Sequence, residues 1–129
     1  MADLFIDTDV LIDHLRGYAK AKDYLYKRWA AGDILHFSVI SRAELFSGMR
    51  SGEEASIRVL LTGMHELLID QMIAEEAAAY RRQFSKSHGL LLPDALIAAS
   101  AKSIGARLVT SNTKHFPMKD ITVVAPYKL

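Results

Sequence analysis

The chain has 129 residues, half of them hydrophobic, with 16 basic and 15 acidic side chains, a formal charge of +1 and no cysteine. That length suits a single domain, residues 1–129, with a full apolar core; the lack of cysteine excludes disulfides and thiolate metal sites, and the charge lacks the basic excess of a typical duplex-binding module. Met1-Ala2-Asp3 carries no basic leader and the apolar run behind it is too short for a signal peptide or a membrane span, so a soluble, cytoplasmic protein with no membrane partner is expected.

Leu4-Phe5-Ile6 is an apolar run that stops abruptly at Asp7, reading as a buried strand, then a turn, then a helix from about Val10 to Arg16 closed by Gly17. A second helix runs from about Tyr18 to Ala31, with Tyr18, Ala21, Leu25 and Trp29 or Tyr26 on one face and Gly32 as its stop. Ile34 to Ile40 is β-rich and leads into a helix capped at Ser41 and ending near Gly48. Glu53 to His65 is amphipathic, with Ile57, Leu60, Leu61 and Met64 on its apolar face, and Leu67-Leu68-Ile69 reads as a short strand. Asp70 is a natural N-cap for a helix from Gln71 to about Ser87, which Gly89 ends. After Leu90-Leu91-Leu92, Pro93 opens a helix through Ala101 that is apolar or small all round, hence buried. Gly105 stops it, Arg107 to Thr110 is a strand, Ser111 to Pro117 a polar loop, and Ile121 to Val124 a last strand. Strands alternating with helices make this an α/β protein with a mainly parallel sheet covered on both faces.

The acidic residues fall into two populations. Glu53, Glu54, Glu75 and Glu76 sit in polar patches of helices and read as solvated. Asp7, Glu44 and Asp94 abut apolar runs, where burial is expected. Carboxylates gathered in one cleft need protons or cations to neutralise them. With oxygen ligands and no thiolate, Mg²⁺ or Mn²⁺ is the fitting ion, and such ions work with phosphate oxygens. Each acid also has a plainer role: Asp7 caps a helix, although Asp9 and Thr8 are equally placed to do so; Ser41-x-x-Glu44 fits a capping box; Asp94 complements a helix dipole.

In order, Leu4 to Ile12, Ser38 to Gly48, Leu92 to Ala101 and Leu108 to Phe116 resemble the motifs of PIN-domain nucleases, and are most similar to the VapC toxins of toxin–antitoxin pairs. The resemblance covers nearly the whole chain. It implies a three-layer α/β/α sandwich and a Mg²⁺- or Mn²⁺-dependent ribonuclease, a homodimer held inactive by a cognate antitoxin, meeting DNA only through the antitoxin complex. Asp7, Glu44 and Asp94 match the family's three metal-holding acids, and Asn112 stands where many relatives carry a fourth. Asn112 can offer a carbonyl oxygen or position a water, but no charge. The chemistry expected is in-line attack of water on an RNA phosphodiester, with Asp7 and Asp94 on one ion and Glu44 ligating it or a second, or orienting the nucleophile. The antitoxin is expected to pack around Phe46 to Arg50 and the Ile57-Leu60-Leu61-Met64 face.

Other residues carry weaker signals. Asp9 is expected to turn away as an N-cap and Asp13 to be partly exposed, while His115 is the histidine best placed for substrate. Arg16, Arg42, Arg50, Lys86 and Lys114 are candidate phosphate contacts, each more simply a solvated cation. Two other readings compete. A haloacid-dehalogenase-like phosphatase would use Asp7 as nucleophile, but only Lys114, Lys119 and Asp120 remain for its later motifs. A phospho-receiver would use Asp70 as acceptor, but the chain lacks an adjacent acidic pair after the first strand and a Lys before the last Pro in the expected place.

Overall fold

Leu4, Phe5 and Ile6 are all sealed from solvent because β1 (Asp3–Ile6) is the middle strand of the sheet. The computed structural model describes residues 1–128, and among these a five-stranded sheet runs in the order β3-β2-β1-β4-β5, every pair parallel. The other strands are β2 (Ile34–Ser38), β3 (His65–Leu67), β4 (Arg107–Val109) and β5 (Val123–Val124). Alternate side chains of each strand point to opposite faces. Phe5 and Leu108 join the core beneath α5 (Gln71–His88) and α6 (Leu92–Ser103). Leu4, Ile6, Leu35, Phe37 and Val109 join a second core under α1 (Thr8–Leu15), α2 (Ala19–Ala30), α3 (Val39–Ser47) and α4 (Glu54–Thr62). The result is the expected three-layer α/β/α sandwich.

Local signals set most boundaries. Asp70 caps α5 by accepting from the Ile73 amide at 2.9 Å. Gly89 ends the same helix at φ 63°, in the left-handed region that favours glycine. In α6 Ala95, Ile97, Ala98, Ala99, Ser100 and Ala101 are buried, as expected for a helix apolar all round, and the small side chains let α5 pack closely on it.

Several boundaries differ from expectation. The first helix begins at Thr8, with Asp7 rather than Asp9 as its N-cap. The third begins at Val39, capped by Ser38, whose hydroxyl accepts from the Ile40 amide at 3.0 Å. Ser41 therefore lies inside the helix, and the capping box with Glu44 does not form. β3 lies at His65–Leu67, two residues before the most apolar run, because pairing with β2 sets its register and leaves Leu68 exposed. Leu91 and Leu92 are exposed as well. Ala21 and Leu25 anchor α2, so Tyr26 and Trp29 stay on the surface against each other.

Leu108, fully buried between sheet and helices, tests this packing. Leu108→Ala should cost about 2–5 kcal/mol in urea unfolding, whereas Val59→Ala, at a site 74% exposed, should stay within about 0.5 kcal/mol.

Candidate active site

The chain leaves β1 to build β2 and β3 on one side and returns to build β4 and β5 on the other. The gap beyond the carboxyl ends of β1 and β4 is thus a topological switch point, where open α/β sheets bind ligands. Asp7 leaves β1 there, its amide still donating to the Val109 carbonyl at 2.9 Å. The Asp7 side chain is buried: Oδ1 accepts from the Thr8 amide and Oδ2 from the Thr110 hydroxyl, each at 2.8 Å. Thr110 Oγ1 also accepts from the Asn112 amide at 3.1 Å, folding the loop after β4 back over the strand end.

The other acids arrive on separate helices. Thr8 donates its hydroxyl proton to Glu44 Oε1 at 2.7 Å, so the Ser41 hydroxyl, also 2.7 Å away, donates to Thr8. This chain of hydroxyls ties α3 to α1 and brings Glu44 to the cleft. Asp94 enters from the first turn of α6. Asp7, Glu44, Asp94 and Asn112 line one open cleft together with Asp9 and His115. Asn112 Nδ2 lies 3.1 Å from His115 Nδ1.

The electrostatics favour a cation. Burial above all, then the like charges of Asp9 and Asp94, pushes the Asp7 carboxyl up to about 8, against the pull of its bonds from Thr110 and Thr8. Asp94 is raised by burial and then by Glu44 and Asp9, with His115 opposing. A divalent ion held by Asp7, Glu44 and Asp94 would relieve this repulsion. The donors are all oxygen, as Mg²⁺ or Mn²⁺ prefers, and Asp9 Oδ1 is buried with no hydrogen-bond partner. Among the described residues no three acidic or histidine side chains are already gathered at ligating spacing. The acids flank an open cleft rather than a closed cage, an arrangement suited to an ion that keeps several waters.

The four residues singled out by sequence line the same cleft, although burial is uneven: Asp7 is buried, Asp94 half-buried and Glu44 exposed. Sequence reasoning mislaid Asp9. Rather than turning away, its Oδ2 accepts from the Ser111 hydroxyl at 2.5 Å and the Ser111 amide at 3.2 Å; the paired hydroxyls of Thr110-Ser111 were the available signal. Asp13 instead accepts from the Tyr127 hydroxyl at 2.6 Å. Arg16 pairs with Glu53 and Arg42 with Glu66. Asp70, the acceptor in the receiver reading, is engaged as a helix cap. Ile57 and Leu61 are core residues, so the apolar surface offered by this stretch is Val59 and the half-buried Leu60 of α4 with the half-buried Met64 after it.

Comparison with known proteins matches residues 4–121 to the PIN domain family model. The chain is 40% identical over 116 residues to Ribonuclease VapC10 of Mycobacterium tuberculosis, covering 89% of this chain and 86% of that one. It is 35% identical over 114 residues to Ribonuclease VapC19 of the same organism, covering 88% and 91%. Among solved structures, a chain of a toxin-antitoxin complex from Klebsiella pneumoniae superposes with a TM-score of 0.81 at 33% identity, covering 98% of this chain and 99% of that chain.

Because Asp7 keeps its proton up to about 8 when folded and releases it near its ordinary 3.8 when unfolded, the folded state binds more protons between those values. Its contribution to stability is therefore full below about 4 and is lost as pH rises toward 8. Asp7→Asn keeps an acceptor for the Thr8 amide and can donate to the Thr110 oxygen. With chelator present, it should flatten the decline and exceed the wild type at pH 8 by about 1 kcal/mol or more in urea unfolding; a less stable variant would contradict the burial argument.

Proposed function

The chain belongs to the PIN domain family, and on that premise we propose that residues 1–129 act as one nuclease domain that cuts RNA with Mg²⁺ or Mn²⁺ at Asp7, Glu44 and Asp94. It is a ribonuclease toxin of the VapC kind with a cognate antitoxin. The observation that carries the site assignment is the convergence of Asp7, Glu44, Asp94 and Asn112, from four separate segments, on the switch-point cleft.

Asp7, Glu44 and Asp94 would hold a divalent ion there, which would supply an activated water and offset the charge of the scissile phosphate. Asp7 lies on the end of β1, in the middle of the sheet, and Asp94 in the first turn of the largely buried α6, so both would be held by the scaffold when they take up the ion. Glu44, kept at the cleft by Thr8, accepts a hydrogen bond from the attacking water or shares in holding the ion. Asn112 presents its amide to water or to a phosphate oxygen. Attack forms one P–O bond as the bond to the leaving sugar oxygen breaks in line with it, and the proton lost by water ends on that oxygen. No side-chain nucleophile takes part, which sets aside the phosphatase use of Asp7.

The antitoxin's place is part of the same proposal. Tyr26 and Trp29 on α2 line an apolar groove with Leu60 of α4 and Met64 just beyond that helix, and Val59 extends the exposed surface of α4. An apolar helix of the antitoxin fits that groove better than the Ile57 and Leu61 positions, which the core already covers. A homodimer would use other exposed apolar surface, at Leu68, Leu91 and Leu92. Among the described residues no helix is long and apolar enough to cross a membrane.

Purified, antitoxin-free protein should cleave RNA with Mn²⁺ or Mg²⁺ and stop when the metal is chelated. Asp7→Asn, Glu44→Gln and Asp94→Asn should each lower the cleavage rate by about 100-fold or more. Near-wild-type rates in both Asp7→Asn and Asp94→Asn would overturn the assignment.

A further inference from the structure

We infer that Asp9 is a fourth carboxylate of the cation site, supplying from the first turn of α1 the negative charge that residue 112 lacks. The inference rests on the reading of the cleft as a divalent-cation site. Asp9 lines the same cleft as Asp7, Glu44, Asp94 and Asn112. It stands against the loop that carries Asn112: Oδ2 receives the Ser111 hydroxyl and amide, and Thr110 Oγ1 lies 3.2 Å away. The carboxylate is thereby held one residue from Asn112.

The two oxygens of Asp9 are in unlike states. Oδ2 is fully engaged, whereas Oδ1 is shielded from solvent and accepts nothing. Buried acceptors are rarely left unpaired, and an ionised one is the costliest kind. A loop clamp alone does not call for this arrangement. A neutral asparagine at position 9 would accept from Ser111 equally well and would not set a like charge against both Asp7 and Asp94. The repulsion turns to advantage when a cation enters the cleft, because each carboxylate then adds to its attraction. The charge is thus supplied from the helix, against the residue next to Asn112, while Asn112 keeps only its amide.

The test is Mn²⁺ binding to the full chain without RNA, read from the electron paramagnetic resonance signal of free Mn²⁺. Asp9→Asn keeps an acceptor for Ser111 and removes the charge; affinity should fall about 10–100-fold, with thermal stability in chelator at or above that of the wild type. Adding Asn112→Asp to that variant should restore most of the lost affinity, since it returns a negative charge to the same cleft, from the loop residue next to Ser111. Ser111→Ala, which loosens the clamp but keeps the charge, should lose less affinity than Asp9→Asn. Wild-type affinity in Asp9→Asn, together with lost affinity in Asp7→Asn, would overturn the role of Asp9 and leave the metal site standing. No Mn²⁺ binding by the wild type would overturn both readings.

Discussion

The hydrogen bond from the Thr110 hydroxyl to Asp7 Oδ2 is the contact on which the carboxyl edge of the sheet depends. It joins the ends of two parallel strands where the ladder stops and gives one oxygen of a buried carboxyl a donor. The same oxygen of Thr110 takes the Asn112 amide, so one hydroxyl orders both the first acid and the loop opposite it. Without that threonine the acid would lose its partner on the sheet and the loop its anchor.

The remaining acids are placed by contacts of different kinds. Glu44 depends on a polar relay, in which Ser41 donates to Thr8 and Thr8 donates to Glu44, across the two helices that follow β1 and β2. Asp94 depends on apolar packing, because the alanines of α6 sink that helix into the core and hold its first turn at the cleft. A site assembled from one strand end, two helices and one loop brings like charges closer than water would allow. The cost is local and the rest of the core is conventional, which is the usual division between a stable scaffold and a poised site.

Much of the fold was legible because short-range physics sets it. The alternating pattern, the Asp70 cap, the Gly89 terminator and the all-round apolar Pro93–Ala101 stretch each act within a turn or two of chain. Where reading failed, a longer-range contact had intervened. Leu67-Leu68-Ile69 is the more apolar run, but pairing with β2 selects His65–Leu67. Ser41 has the local form of a helix cap, but β2 ends earlier, at a buried Ser38, and leaves Ser41 free for Thr8. Trp29 has a helical spacing that suits a core face, yet α2 buries Ala21 and Leu25, with Tyr24 beside them, and leaves Trp29 exposed.

The same division runs through the site. Sequence by itself determined that Asp7, Glu44 and Asp94 lie beside apolar segments and that oxygen rather than sulfur donors are available, and the family resemblance added that Asn112 stands where many relatives carry an acid. Those properties depend on residue identity and neighbours a few positions away. Tertiary structure alone decided that β4 lies beside β1 on the far side from β2, so that Thr110 and Ser111 meet Asp7 and Asp9 across about a hundred residues of chain. Strand order is settled by the packing of whole layers, and no local pattern encodes it. That is why Asp9, read locally as a surface cap, belongs to the cleft.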